Sequence, residues 1–256
     1  MSVEELFAKI SSAKYCTALT GAGVSTLSGI PDFRGKNGLY NEMDAEKIFD
    51  IEYFKKDPAF FYKASAPLIY SLDKKEPSVV HIALAELERL GFLKAVITQN
   101  IDLLHEKAGS KKVIEIHGSP GFHYCLRCAG VRMPYDEAAL IVQAGELPAC
   151  PNCGKVLKPA ITFFGEMLPA EALSEAVDHA QKSDLMLVLG TSLTVYPAAS
   201  IPQYTLSQGK GEIVIVNNMP TPLDHMASLC FDDLGEVFGK LKEFIEKSIE
   251  ETKQGK

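Results

Sequence analysis

Short apolar runs alternate with helical patterns along most of the chain. Runs of four or five residues, each ending in polar or glycine residues, lie at 15–19, 94–98, 113–116, 185–189 and 212–216. Apolar residues at helical spacing lie at 3–11, 79–90, 170–180 and 235–249. Buried strands that alternate with amphipathic helices are typical of a parallel sheet with helices on both faces. The pattern therefore predicts an α/β fold built on a doubly wound parallel sheet.

Two stretches depart from this alternation. Residues 41–72 are rich in aromatic side chains, and residues 121–156 contain four of the six cysteines. We predict that both are insertions, a helical module and a cysteine module, that pack together into a second, smaller domain. The large domain then consists of residues 1–40, 73–120 and 157–256. The crevice between the two domains is where we expect the site.

The spacing of the four cysteines predicts a metal site. Cys125 and Cys128 form one C-x2-C pair, and Cys150 and Cys153 form the other. Each pair lets two sulfurs from one tight turn reach the same ion, so four thiolates are expected to hold one tetrahedral zinc. A closed shell of four sulfurs leaves no position for water, which makes the zinc structural. Two disulfides, or four unrelated core thiols, are the alternatives.

Composition and charge narrow the class of protein. The 256 residues carry a net charge of −7, which argues against binding nucleic acid through its phosphates and is compatible with a lysine-bearing protein substrate. No apolar run approaches the roughly 20 residues that span a bilayer, so no membrane association is expected. The opening residues lack a basic leader segment, so we expect a cytoplasmic protein with reduced thiols. The sequence leaves open whether the chain is a monomer.

A glycine turn follows the first predicted strand. Gly21 and Gly23 lie where the backbone must turn sharply and approach a ligand closely, which predicts a pyrophosphate site. The third glycine of the dinucleotide fingerprint is absent, because Thr26 stands there, so a plain tight turn is the alternative. No acidic residue ends a second strand about 20 positions later, which disfavours an oxidoreductase.

Polar residues also follow the other predicted strands. Because the carboxyl ends of parallel strands meet at one edge, we expect these side chains to contact the ligand together. They are Gln99, Asn100 and Asp102 after the second strand, Gly190, Thr191 and Ser192 after the fourth, and Asn217 after the fifth.

His117 ends the third predicted strand beside this polar cluster. Histidine is the side chain that exchanges protons near neutral pH, so His117 is the candidate general base. The other histidines keep a structural interpretation. Asp32 and Arg34 flank Phe33 in a loop just after the glycine turn. We interpret that loop as a lid over a cofactor rather than as a surface ion pair.

Taken together, these motifs resemble the sirtuins, the silent information regulator family of NAD-dependent protein deacylases. The resemblance runs from about residue 13 to residue 237, and the order and separation of the motifs make it specific. The motifs are Gly21-Ala22-Gly23-Val24-Ser25, Gly29-Ile30-Pro31-Asp32-Phe33-Arg34, Thr98-Gln99-Asn100-Ile101-Asp102, His117-Gly118, the two cysteine pairs, Phe164-Gly165-Glu166 and Gly190-Thr191-Ser192.

The resemblance implies a Rossmann-like NAD-binding domain, with the small domain made of the helical and zinc modules. It implies that NAD and an acetylated lysine of a protein or peptide meet in the cleft. The acyl oxygen attacks the ribose carbon that bears nicotinamide, and His117 then acts as the base. The products are nicotinamide, 2′-O-acetyl-ADP-ribose and free lysine. Asn100 and Asp102 match residues that hold the nicotinamide amide and a water.

The resemblance also implies two sets of contacts. The cofactor contacts are Gly21, Ala22, Gly23, Ser25, Ile30, Asp32, Phe33, Arg34, Gln99, Asn100, Ile101, Asp102, Gly190, Thr191, Ser192, Asn217, Asn218 and Leu234. The peptide contacts are Phe164, Gly165, Glu166, Val195 and Tyr196, where an extended peptide would pair as a strand.

Three positions bear on the acyl group. Ser65 and Leu68 match positions where relatives that remove acidic acyl groups carry Tyr and Arg. Neither residue here can pair with a carboxylate as Arg does, so acetyl or longer apolar groups are favoured. Thr162 matches a position in the lysine tunnel where relatives often carry an aliphatic residue.

Alternative functions differ in class. Mono-ADP-ribosyl transfer at the same site is the nearest, and removal of longer apolar acyl groups is another. A zinc-ribbon binding module is disfavoured by the acidic charge and by the few basic residues between Cys125 and Cys153. A dinucleotide oxidoreductase is disfavoured because no acidic residue ends a second strand about 20 positions after the glycine turn.

Overall fold

The computed structural model describes residues 2–32, 45–207, 209 and 211–254. Within them the α-helices are α1 Val3–Ser12, α2 Gly23–Thr26, α3 Ala45–Ile48, α4 Ile51–Lys56, α5 Pro58–Ile69, α6 Val79–Arg89, α7 Leu104–Lys107, α8 Tyr135–Gln143, α9 Ala170–Lys182, α10 Ile201–Ser207 and α11 Leu234–Gln254. The strands are β1 Cys16–Thr20, β2 Leu93–Thr98, β3 Val113–Glu115, β4 Gly118–Tyr124, β5 Arg132–Pro134, β6 Lys158–Ile161, β7 Leu185–Leu189, β8 Glu212–Val216 and β9 Leu229–Phe231.

The larger sheet has six parallel strands in the order β3-β2-β1-β7-β8-β9. Chain order runs outward in both directions from the neighbouring pair β1 and β7. In open α/β sheets, the crevice at such a reversal, beyond the carboxyl ends of the strands, is where ligands bind. The loops that follow β1, β2, β7 and β8 all begin at this edge.

Successive residues of each central strand enter opposite cores. Ala18 of β1 packs with Leu6 and Phe238 of the helices α1 and α11 on one face. Its neighbour Leu19 packs with Ala176 of α9 on the other face. Because side chains alternate along a strand and both faces are covered, the strands are apolar throughout, as the sequence predicts.

A second, smaller unit consists of two packed parts. The helices α3, α4 and α5 bury an aromatic cluster, in which the rings of Phe54 and Phe163 meet edge to face at 5.4 Å. The antiparallel sheet β5-β4-β6 and helix α8 form the other part. The Tyr135 hydroxyl of α8 donates to the carbonyl oxygen of Ile69 at 2.7 Å, which joins the two parts.

The predicted fold class is confirmed: a doubly wound parallel sheet with a smaller unit made of helices and a cysteine-bearing module. The strands β4, β5 and β6 and the helix α10 were not predicted. Strand β4 crosses the predicted boundary at residue 121, and β6 follows the one at 156. The division into domains stays a prediction, and this pairing favours boundaries near 118 and 161 instead. Among the described residues, no helix combines the length and the apolarity that crossing a bilayer requires.

Candidate active site

Three glycines pack against one another where β1 and β7 end. A Cβ on Gly23 would lie 2.7 Å from Cα of Gly190, and one on Gly21 would lie 2.7 Å from the Gly190 carbonyl oxygen. Gly190 itself has a φ of +60°, and its Cβ would lie 2.6 Å from the amide nitrogen of Val24. No side chain fits at any of the three positions. The backbone is therefore bare and closely packed at the sheet's crevice, as close approach to a phosphate requires.

One cavity of about 920 Å³ opens above this crevice. It lies between the carboxyl edge of the larger sheet and the smaller unit. Most residues predicted to form the site line it: Gly21, Ala22, Gly23, Ser25, Ile30, Asp32, Gln99, Asn100, Ile101, Asp102, His117, Phe164, Gly165, Glu166, Gly190, Thr191, Ser192, Val195, Tyr196, Asn217 and Asn218.

Three predicted residues are not among them. Leu234 begins α11 and packs against the core on the α1 face of the sheet, so its predicted contact with the cofactor lacks support from the cavity. Phe33 and Arg34 lie outside the described residues.

The His117 ring is held in one tautomer. Its Nδ1 lies 2.8 Å from the carbonyl oxygen of Gln99, and because a carbonyl only accepts, Nδ1 carries the proton. The amide of Thr162 donates to the His117 carbonyl at 2.8 Å, which fixes the backbone. Burial lowers the pKa of His117, although the hydrogen bond to Gln99 acts in the opposite direction. At neutral pH the ring is therefore uncharged, and Nε2 offers a lone pair at the cavity.

Ser25, Asn100 and Asp102 form a connected, buried group. The Ser25 hydroxyl donates to Oδ2 of Asp102 at 2.6 Å, and the Asn100 amide donates to Oγ of Ser25 at 3.1 Å. The same Asn100 amide donates to the carbonyl oxygen of Gly21 at 3.1 Å. Side chains from the first and second loops are thus locked together at the inner end of the cavity.

A second hydrogen-bonded layer lies beneath this group. The Thr20 hydroxyl donates to Oγ1 of Thr98 at 2.9 Å. The same Oγ1 accepts the backbone N–H of Asn100 at 3.0 Å. Nε2 of His105 lies 2.9 Å from the Thr20 oxygen, and the His105 ring contacts that of His81 at a tilt of 57°, with 4.6 Å between the ring centres. Sequence reasoning treated both histidines as structural, and it had no signal for their link to Asn100, because these residues meet only in the fold.

The Phe164-Gly165-Glu166 loop is partly paired already. The Phe164 amide donates to the carbonyl of Phe49 at 2.7 Å, and the Phe164 carbonyl accepts the Ile51 amide at 3.1 Å. Gly165 has a φ of +89°, which turns the chain towards the cavity. The backbone groups of Phe164 are thus bonded within the protein, and so is the Glu166 amide, which donates to the Phe163 carbonyl at 3.0 Å. Across the cavity, Tyr196 is 69% exposed.

Apolar residues that the sequence did not single out complete the lining. From the smaller unit they are Phe49, Ile69, Leu72 and Phe163, and from α9 they are Leu173 and Val177. Leu68 and Thr162 line the cavity as well, whereas Ser65 is fully buried away from it. Of these lining residues, only Leu173 and Val177 carry a signal in the sequence, because their helical spacing places them on one face of α9.

The four cysteine sulfurs lie within 4.8 Å of one another. The sulfurs of Cys125 and Cys153 are 3.6 Å apart, close to the edge of about 3.8 Å in a tetrahedron with zinc–sulfur bonds of about 2.3 Å. The amides of Arg127 and Cys128 donate to the Cys125 sulfur and lower the pKa of its thiol to about 7. The donor set and its geometry fit one structural zinc, and all six cysteines of the chain are free of disulfides.

Comparisons with known proteins agree with this geometry. The Sir2 family model matches residues 21–197. The NAD-dependent protein deacetylase of Thermotoga maritima is 43% identical over 232 residues, 91% of this chain and 93% of the relative. NAD-dependent protein deacylase 2 of Archaeoglobus fulgidus is 42% identical over 253 residues, 98% of this chain and 94% of the relative.

Solved structures give the same answer. A structure of Sir2 with a p53 peptide and NAD⁺ superimposes with a TM-score of 0.86 at 40% identity, covering 97% of this chain and 99% of that one. The family model spans more than half of the sequence, and the relatives align over nearly all of it. The chain belongs to the Sir2 family.

Proposed function

We propose that this protein is an NAD-dependent protein lysine deacetylase, which transfers the acetyl group of acetyl-lysine to the ADP-ribose part of NAD. The observation that carries the proposal is the placement of His117. His117, whose Nε2 is unprotonated, lines the same cavity as the bare glycine backbone and the Gly165 loop. A base, a phosphate cradle and a peptide-pairing edge thus share one space.

The residues fit NAD in two places. The backbone of Gly21, Gly23 and Gly190 leaves room for a pyrophosphate, and Asn217 with Thr191 lies where an adenosine ribose would be held. Bound NAD supplies a ribose carbon from which nicotinamide departs. We assign Ile30 and Asp32 to the nicotinamide half, because both line the cavity beside the glycine turn.

The inner residues orient the reacting groups. Asp102 and Asn100, fixed through Ser25, present a carboxylate and an amide to the nicotinamide amide group. His117 accepts the proton of a ribose hydroxyl at Nε2, and the Gln99 carbonyl stabilises the resulting imidazolium through Nδ1. Asn100 and Asp102 are buried, which limits the access of bulk water to the activated sugar at this end of the cavity.

The protein substrate binds by strand addition. The backbone of Gly165 and the Glu166 carbonyl on one side, and the backbone of Val195 and Tyr196 on the other, would pair with the residues around the acetyl-lysine. Backbone pairing carries little sequence information, so we expect a broad range of acetylated peptides. The acetylated protein is the partner that this site requires.

The apolar end of the cavity supports a second candidate activity. Leu68, Ile69, Leu72 and Phe163 line it, and the charged side chains among the described lining residues are all carboxylates, Asp32, Asp102 and Glu166, none of which can pair with an acyl carboxylate. Such a wall accommodates acyl chains longer than acetyl and rejects succinyl or malonyl carboxylates. The Archaeoglobus fulgidus relative is named a deacylase, which is consistent with that breadth.

The cysteines support proposals for the zinc and for the location of the protein. Cys125, Cys128, Cys150 and Cys153 would hold one zinc that stabilises the small sheet and takes no part in the chemistry, because four sulfurs complete its coordination. Six free cysteines are typical of a reducing compartment, which supports a cytoplasmic protein.

Mass spectrometry tests the function directly. Purified protein is incubated with NAD and an acetyl-lysine peptide, and we expect free nicotinamide, the deacetylated peptide and acetyl-ADP-ribose in equal amounts. The matched control is the same peptide with unmodified lysine, which should release no nicotinamide. Nicotinamide release with the control peptide, accompanied by an ADP-ribosylated product, would instead establish ADP-ribosyl transfer.

A further inference from the structure

Lys158 is a buried cation beside the cleft. It lies on β6, and its side chain is 1% exposed. Its Nζ lies 2.9 Å from Oε2 of Glu166 and donates to the carbonyl of Ile161 at 2.7 Å and, more weakly, to that of Pro159 at 3.3 Å. The ammonium has three protons, and all three have acceptors. A lysine is rarely buried this deeply unless its charge is compensated, so the partners are specific.

Glu166 connects that cation to a turn of the backbone. Its Oε2 also accepts the amide N–H of Phe163 at 2.8 Å, and its own amide donates to the Phe163 carbonyl at 3.0 Å. The Lys158 ammonium lies 4.1 Å from the centre of the Phe163 ring, within cation–π range. Residues 163–166 are thus closed into one turn, with Gly165 at its tip.

This turn is the edge to which the acetylated peptide would bind. The Glu166 carboxylate lines the cavity but accepts from Lys158 and Phe163, so it is compensated from within the protein. Without the ammonium, the Glu166 carboxylate would keep only the Phe163 amide as a partner and would move towards water. The tip at Gly165 would then lose its fixed position.

We propose that Lys158 is a positioning residue for the protein substrate: through its ion pair with Glu166, it holds the turn 163–166 in the shape that pairs with the acetylated peptide. This inference rests on the proposed function of the site. Burial lowers the pKa of the Lys158 ammonium, and the Glu166 carboxylate acts in the opposite direction, which is consistent with a mutually dependent pair.

The cofactor half of the site is held by other bonds. Ser25 links Asn100 to Asp102, Asn100 also donates to the Gly21 carbonyl, and none of the hydrogen bonds or ion pairs described for Lys158 reaches them. The loss of Lys158 should therefore affect the peptide and leave NAD unaffected. A residue that only stabilised the fold would change both.

The experiment compares Lys158→Met, which keeps the length and apolarity of the stem, with Lys158→Arg and with the exposed control Lys155→Met. Steady-state kinetics with an acetyl-lysine peptide and NAD give KM for each. We expect Lys158→Met to raise KM for the peptide about tenfold and to leave KM for NAD within about twofold. Lys158→Arg should restore most of the peptide affinity, and Lys155→Met should behave as wild type.

Binding measurements separate this proposal from the function itself. Fluorescence anisotropy of a labelled acetyl-lysine peptide measures peptide affinity without turnover. It therefore measures the effect of Lys158→Met on peptide binding even if the wild type forms no acetyl-ADP-ribose. That wild-type result would contradict the proposed function, and weaker peptide binding by Lys158→Met would still support the role of the turn.

Folding is controlled by zinc content and thermal melting of each variant. If Lys158→Met does not fold, Glu166→Gln provides the comparison. A carboxamide keeps an acceptor for the Phe163 amide while removing the charge. If the ion pair holds the turn in place, Glu166→Gln should raise KM for the peptide about tenfold and leave KM for NAD within about twofold. Folded, zinc-bearing variants whose KM for the peptide stays within twofold, or whose two KM values rise together, would overturn the proposal.

Discussion

The hydroxyl of Ser25 lies 2.6 Å from Oδ2 of Asp102, although 77 residues separate them in the chain. Asp102 is 7% exposed, and its other oxygen accepts the amide of Leu104 at 3.0 Å. The carboxylate is therefore oriented from two sides before any ligand arrives. The glycine turn and the polar loop after β2 act as one unit at the inner end of the cavity.

We expect Ser25→Ala to weaken inhibition by nicotinamide. A hydrogen bond to a charged group contributes about 1.5–3 kcal/mol, so the inhibition constant should rise about tenfold to a hundredfold. Asp102→Asn should act in the same direction. The control is Thr26→Ala, which removes an exposed hydroxyl one residue away. Unchanged inhibition in Ser25→Ala would remove this pair from the nicotinamide pocket.

His117→Ala should abolish turnover but leave NAD binding largely intact. Loss of a general base lowers kcat by about 10²–10⁴, and the glycine backbone that cradles the pyrophosphate is unaffected. Stopped assays give kcat, and calorimetric titration gives the affinity for NAD. His225→Ala, an exposed histidine, is the matched control. Activity within a few fold of wild type would refute the assignment.

Buried histidines make the folded state sensitive to acid. Burial lowers the pKa of His81 to about 4, opposed by the Asp102 carboxylate, and that of His105 to about 3, with His81 acting in the same direction. Below about pH 6.5 the unfolded chain binds protons that the folded protein does not, so the free energy of unfolding should fall as the pH drops towards 4.

Urea denaturation at pH 7, 6 and 5 measures this slope. His105→Gln removes one group that binds a proton only in the unfolded chain. The slope of the free energy of unfolding against pH should therefore fall by up to about 1.4 kcal/mol per pH unit. His225→Gln should leave it unchanged. Parallel curves for wild type and His105→Gln would contradict the prediction.

Cys150→Ser should lose zinc and unfold the small sheet, because structural zinc contributes directly to folding. Cys150 is 2% exposed and packs with Cys125 and Leu157. Zinc content and circular dichroism measure the outcome, and Cys230→Ser on β9 is the control. A metal-free variant with wild-type stability would be incompatible with the site.

Gly190→Ala should destabilise the protein and disrupt NAD binding. The left-handed backbone costs an alanine more than about 1 kcal/mol, and the added Cβ would lie 2.6 Å from the amide nitrogen of Val24. The control is Gly239→Ala within α11, where the Cβ meets nothing within 4 Å. There the free energy of unfolding should rise by about 0.5–1 kcal/mol. Thermal melting with and without NAD separates the two effects.

The larger sheet could be predicted because its signals are local. Its central strands are buried on both faces, and residues 185–189 read as an apolar run without any knowledge of their neighbours. The small sheet could not, because Gly118, Pro120 and Gly121 interrupt the apolar pattern of β4, and His123 pairs with Pro159 across a long interval. The hydrogen bond between Thr20 and His105 could not be predicted either, because 85 residues separate the two in the sequence.

For the site, the sequence identified the residues with reactive or ligand-binding side chains, but not the residues that hold them in position. His117 and the cysteines follow from strand ends and spacing. The tautomer of His117 depends on the Gln99 carbonyl, and the shape of the turn depends on Lys158, which carries no motif. Leu234 was assigned from resemblance alone; its side chain packs against the core on the α1 face, and its contact with the cofactor stays a prediction.

The contact between Gly23 and Gly190 has a consequence for the conformational entropy that the protein loses when the dinucleotide binds. Two loops that belong to different halves of the sheet are already locked together before the dinucleotide arrives, so little conformational freedom remains to be lost on association. Arrival of the dinucleotide should therefore leave the amide protons of this region almost as slow to exchange as they were in the free enzyme.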